Sequence, residues 1–107
     1  MGANNGALTE AVYYILLSLL QPLHGYGIMQ NVEKLSGGRL KLAAGTLYGA
    51  ISTMLEKGWI TAIGGLEDSR KKEYTITDAG TAVLRSEYKR LRELVDNGRA
   101  LLEEEEA

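Results

Sequence analysis

The sequence predicts a mainly α fold, a winged helix-turn-helix with a two-stranded β-wing and a long C-terminal dimerisation helix. Three observations predict it. Three short apolar segments follow one another, the second and third joined by a short linker, Arg39–Ala44. Two β-prone runs then flank a polar loop. The chain closes on a helical pattern too long for a domain of 107 residues to bury.

Residues 1–7 (MGANNGA) are small and polar and are expected to form a flexible N-terminus. Helix 1 is expected from about Leu8 to Leu20, almost continuously apolar and so buried on most sides, with Pro22 blocking its continuation. Leu23–Gly27 reads as a turn in which His24 is a turn residue. Helix 2 follows from about Tyr26 to Ser36, with Ile28, Met29, Val32 and Leu35 on one stripe and Gly37-Gly38 ending it.

Helix 3 is expected from about Gly45 to Lys57. Leu47, Ile51, Met54 and Leu55 make its buried face, while Thr46, Gly49, Ser52 and Thr53 make an opposite face that is small and uncharged. A solvated helix face normally carries Lys and Glu, so that composition points to a surface kept low for close approach. Trp59–Ile63 and Lys72–Ile76 are the wing strands around the loop Gly64–Lys71, with Trp59 packed at the wing base. Thr77 is placed to cap helix 4 and Asp78 to suit the positive end of its dipole.

Helix 4 is expected from about Asp78 to Leu102. Leu84, Tyr88, Leu91, Val95 and Leu102 follow heptad spacing, with Gly98 at the remaining position, and form the expected dimer interface. Residues 103–107 read as a solvated acidic tail. The domain organisation is therefore a winged helix-turn-helix over 8–76 and a dimerisation helix over 77–102.

Composition excludes several functions. With no cysteine and only His24 as histidine, thiol chemistry, zinc sites and Ser-His catalysis lack raw material. No enzyme activity, cofactor or metal is expected. Ala11–Leu20 is too short to cross a membrane, which takes about 20 apolar residues, and the lack of an export signal points to the cytoplasm. The net charge of −2 means that binding to nucleic acid has to come from a local patch. Residues 1–76 carry seven basic against six acidic residues, and residues 77–107 five against eight. The basic residues of the first part, Arg39 and Lys41 before helix 3, Lys57 at its end and Arg70, Lys71 and Lys72 on the wing, sit where phosphates of a duplex would lie. In helix-turn-helix proteins the second helix of the motif enters the major groove, and Thr46, Gly49 and Ser52 suit that position.

GYGI (25–28), GTLYGAISTMLEKGWI (45–60) and RKKEYTITDAG (70–80), with their spacing, resemble the PadR family of bacterial transcriptional regulators over about residues 8–102. The resemblance implies a winged helix-turn-helix that dimerises through its last helix and binds a pseudo-palindromic operator in double-stranded DNA. The single C-terminal helix is similar to the short subfamily. It also implies that Thr46 and Tyr48 face DNA, that Tyr26 lies near phosphates, and that Arg70, Lys71 and Lys72 fall on the wing. In that subfamily a small hydrophobic effector can sit between helix 1 and the last helix, which makes Tyr14, Ser18, Tyr88 and Leu91 the candidate lining. Where the family often has proline, around the GTLY segment, this chain has Ala44 and Gly49, which predicts a looser start to helix 3. Helix 4 has no tryptophan where some members stack planar drugs, and Leu91 lies near that position. The resulting expectation is a homodimeric DNA-binding transcriptional repressor. The alternative is a winged-helix protein-interaction module that does not meet DNA, motivated by the acidic pI of about 5.4.

Overall fold

A computed structural model describes residues 6–64 and 72–106. The elements run α1 (Glu10–Ser18), β1 (Leu23–His24), α2 (Gly25–Leu35), α3 (Ala44–Glu56), β2 (Ile60–Ile63), β3 (Glu73–Ile76) and α4 (Asp78–Glu106). Mainly helical, with a small sheet and a long last helix, the architecture is the winged helix-turn-helix that the sequence pattern predicts. The expected residues Arg70 and Lys71 lie outside the described residues.

The sheet departs from expectation. It has three antiparallel strands in the order β1-β3-β2, not two. The extra strand pairs Leu23 with Tyr74 and His24 with Glu73. Two residues are too few to carry an alternating pattern, and their partner is distant in sequence, so no local signal announces this strand. The wing proper pairs Ile60 with Ile76 and Ile63 with Glu73.

Local chemistry sets the helix ends. Thr9 caps α1, its Oγ1 accepting from the Val12 amide at 3.2 Å. α1 ends at Ser18 rather than Leu20, and the free Leu19 carbonyl accepts from the Ile76 amide at 2.9 Å, which ties the helix to β3. His24 caps α2 through Nδ1, which accepts from the Gly27 amide at 3.0 Å. Ser36 closes α2 and turns the chain. Its hydroxyl donates to the Glu33 carbonyl and accepts from the Leu40 amide. Gly37 and Gly38 follow at φ 67° and 85°, a left-handed stretch that side chains disfavour. Thr77 caps α4 as predicted, accepting from the Gly80 amide at 3.1 Å while its hydroxyl donates to the Gly58 carbonyl at 2.6 Å.

The core joins Ile15, Leu16 and Leu19 of α1, Ile28 and Val32 of α2, Leu47, Ile51 and Met54 of α3, and Ile60, Tyr74 and Leu84. Burial of each such aliphatic side chain contributes roughly 1.5–3 kcal/mol. Together they fix α3 against α1 and α2 and leave its other face outside. Gly80 brings α4 close to the turn before β2, since a Cβ there would overlap the Trp59 carbonyl oxygen and lie 2.8 Å from Ile76 Cγ1.

α4 leaves this core behind. Its 29 residues span about 43 Å, and the molecule measures 60 × 34 × 21 Å. The helix runs on through Glu106, so the acidic run expected as a solvated tail is helical. Glutamate is a good helix former, and Arg99 pairs with Asp96 and Glu103 across the last turns.

Candidate nucleic-acid interface

Because Leu47, Ile51 and Met54 turn inward, the outward side of α3 carries Gly45, Thr46, Tyr48, Gly49, Ser52 and Thr53 and, at its last turn, Glu56, all exposed. A Cβ built on Gly45 or Gly49 would meet nothing within 4 Å, so this surface is flat as well as small. The N-terminus of α3 is open. Its capping position, Ala43, offers no side-chain hydrogen bond, and its first turn has no acidic residue. The positive end of the helix dipole is thus left for an outside anion.

Tyr48 projects from the first turns of α3 toward the start of α2. Its ring rests on Gly25, where a Cβ would overlap the hydroxyl and sit 2.7 Å from Cζ. Burial and the nearby Tyr48 phenol push the Tyr74 phenol above its ordinary pKa, which places both tyrosines at one junction. Tyr26, next to Gly25, is 65% exposed. Two phenols therefore stand where α2 meets α3, each able to donate to a phosphate oxygen. Lys72 precedes Glu73, which pairs with both Ile63 and His24, so the loop end of the wing strands lies beside the start of α2.

Not every expected cation joins this surface. Lys41 is exposed in the linker before α3. Arg39, by contrast, turns back to α1, where both guanidinium arms donate to the Glu10 carboxylate, one at 2.9 Å. Its hydrogen bonds hold the Glu10 carboxyl below the ordinary carboxylate range. Lys57 sits at the far end of α3 with Nζ 5.1 Å from the Trp59 ring centre, away from Thr46 and Tyr48. Trp59 itself packs half-buried against the core, as its place at the wing base predicts.

The expected interface and effector residues also divide. Leu84 is only 5% exposed and belongs to the core of its own chain, because periodicity cannot tell a self-facing from a partner-facing turn. Tyr88, Val95 and Leu102 are exposed and Leu91 is half-buried; Leu94 and Leu101, not singled out in the sequence, are exposed beside them. Ser18 is buried. It donates to the Tyr14 carbonyl at 2.8 Å and accepts from Asn31 Nδ2 at 2.9 Å, so its hydroxyl serves helix packing rather than a ligand. Tyr14 is half-buried beside Tyr13, their ring centres 6.3 Å apart. Burial, then Tyr88 and Glu87 nearby, raise the Tyr13 phenol.

Sequence reasoning missed Glu87. It is 6% exposed, accepts from the Leu8 amide at 3.0 Å and forms a two-pronged pair with Arg90 at 2.7 and 2.8 Å. A carboxylate flanking an otherwise apolar seam was the available signal.

The sequence profile of the transcriptional regulator PadR-like family matches residues 15–86. The chain is 34% identical over 79 residues to an uncharacterised 37.1 kDa protein in transposon TN4556 of Streptomyces fradiae, covering 73% of this chain but 22% of that protein. Among solved structures it is similar to a PadR family transcriptional regulator from Eggerthella lenta, at TM-score 0.68 and 29% identity over 86% of this chain and 80% of that one. A transcriptional regulator from Thermoplasma acidophilum aligns at TM-score 0.67 and 27% identity, covering 87% and 90%.

Proposed function

Because this chain belongs to the PadR-like family of transcriptional regulators, we propose that it acts as a homodimeric repressor reading an operator through α3. The observation that carries this reading is the outward face of α3: flat and uncharged from Gly45 to Thr53, open at its N-terminus and flanked by the phenols of Tyr26 and Tyr48, with the exposed Glu56 only at its far end. Thr46 and Ser52 supply hydroxyls for base edges, and Gly45 and Gly49 let the backbone approach them. Lys41 and Lys72, with Arg70 and Lys71 of the wing sequence, supply the phosphate contacts that set register.

The exposed Tyr88, Leu94, Val95, Leu101 and Leu102 on a helix that outruns its domain support pairing with a second chain. A dimer places its two recognition helices in successive major grooves, about one or two helical turns apart, and so reads a pseudo-palindrome. A small hydrophobic effector between α1 and α4 acts only if it prefers a spacing of the two α3 helices that DNA does not fit.

Titration of a palindromic promoter duplex at about 50 and 200 mM salt tests the reading. Affinity falls steeply with salt if phosphates lead binding. An affinity for duplex that is absent, or indifferent to salt, favours a protein-interaction module instead.

A further inference from the structure

His24 is the only histidine of the chain, and none of the DNA contacts above involves it. It is exposed on the edge strand β1 and caps α2, its Nδ1 accepting from the Gly27 amide at 3.0 Å. A ring nitrogen that accepts carries no hydrogen, so the proton of the neutral imidazole sits on Nε2. Contact holds the ring in the same pose: a Cβ on Gly27 would stand 2.9 Å from Nδ1 and 3.0 Å from Cε1. Among the described residues nothing accepts from Nε2, not even Glu73, the cross-strand neighbour whose side chain shares its face. The ring therefore offers one oriented donor to the outside.

Its surroundings locate that donor. Gly25, next along the chain, lies under the ring of Tyr48 from α3, and Tyr26 beyond it is exposed. On the other side the pairing with Glu73 sets His24 at the loop end of the wing strands, beside Lys72 in sequence. The imidazole thus stands between the phenols of the α2–α3 junction and the cations of the wing.

We propose that His24 donates its Nε2 hydrogen, as a neutral imidazole, to a phosphate of the bound duplex. The inference rests on the DNA-binding reading above and adds a contact to it. Capping alone does not call for a ring, since Ser, Thr, Asp or Asn satisfies an amide at this position. What histidine adds is a second nitrogen, farther out and fixed as a donor by the first.

Two substitutions separate the cap from the contact. His24→Ser keeps an oxygen for the Gly27 amide but does not reach beyond it, and His24→Ala keeps neither. Titrations use a palindromic promoter duplex and a scrambled one at about pH 8, above the range in which imidazoles ionise. Both variants are expected to bind about tenfold more weakly per half-site, the scale of a lost hydrogen bond to a charged group. The loss is equal on the two duplexes, because phosphates carry no sequence. Only His24→Ala lowers the urea midpoint. A neutral donor releases no counterion, so the slope of log affinity against log salt stays at its wild-type value. Binding by His24→Ser as tight as wild type makes the residue a cap alone and overturns the proposal, leaving the DNA reading intact. A slope lower by about 0.9 per histidine overturns it as well, because it indicates an imidazolium whose Nδ1 no longer accepts. A wild-type chain without affinity for either duplex removes both readings. With one histidine in the chain, ¹⁵N-histidine labelling of the wild-type protein reads the tautomer without substitution. Nε2 is expected to carry the hydrogen in the free protein and to shift when duplex is added. A hydrogen on Nδ1, or an Nε2 resonance indifferent to duplex, overturns the contact.

Discussion

The ring of Tyr48 lies on the backbone of Gly25, so closely that a Cβ on Gly25 would come 2.7 Å from the ring carbon bearing the hydroxyl. The start of α2 and the start of α3 thus meet through one glycine and one phenol. Tyr48 is 47% exposed, so its ring has an outward path. Gly25→Ala is expected to cost only about 1 kcal/mol of stability by displacing that ring. Duplex affinity falls by the same factor as in Tyr48→Ala, and the double variant loses little more. Urea unfolding and duplex titration of the three variants check this coupling; additive losses in affinity would separate the two residues.

Two further glycines separate function from stability. Gly49 is helical and its added Cβ meets open space, so Gly49→Ala gains about 0.5–1 kcal/mol of helix propensity. If α3 approaches a groove closely, the same methyl group weakens duplex binding in a protein that melts higher. At Gly80 a Cβ runs into the Trp59 carbonyl, which is backbone and cannot swing away. Gly80→Ala is therefore expected to lose about 2–3 kcal/mol or more, seen as a lower urea midpoint with duplex contacts untouched.

The first three helices were legible in the sequence because their apolar runs or stripes are each followed by a chemical stop, Pro22, Gly37-Gly38 and Gly58, whereas α4 has no such stop and its end was not. Thr77 was legible for the same local reason, as a capping residue immediately before its helix. What could not be read depends on partners distant along the chain. β1 exists because Leu23 and His24 find Tyr74 and Glu73. Arg39 looks like a phosphate contact until α1 brings Glu10 to it, and Leu84 fits a seam until the core claims it. Of the candidate interface, the small face of α3 follows from periodicity alone, whereas the fit of Tyr48 on Gly25 needs the angle between two helices.

Glu87 predicts a pH effect. Hydrogen bonds from Arg90 and, less strongly, from the Leu8 amide outweigh burial and hold its carboxyl below the ordinary value, so the folded state prefers the ionised form. A carboxyl with a depressed folded pKa stabilises fully above its unfolded pKa of about 4.3 and loses that contribution as pH falls through the folded value. Urea midpoints measured from pH 7 down to pH 3 therefore decline, and the decline is shallower in Glu87→Gln. Glu10, shifted in the same direction by Arg39, keeps part of the slope in that variant. Equal slopes with and without Glu87 would show that its pairing is not linked to folding.

Arg39 and Lys41 stand two residues apart and are expected to behave differently. Arg39 is held by Glu10 at the back of α1, whereas Lys41 is exposed in the linker that leads into α3. Each lysine that meets a phosphate adds about 0.9 to the slope of log affinity against log salt on duplex DNA. Lys41→Ala should thus weaken binding about equally on operator and on unrelated duplex, and lower that slope by nearly one. Arg39→Ala should leave the slope unchanged and disturb stability little, because its ion pair is exposed and screened by solvent. A slope that falls with Arg39→Ala means that the arginine leaves Glu10 for a phosphate when DNA binds, and the Arg39→Ala variant would then resemble Lys41→Ala in both affinity and salt dependence.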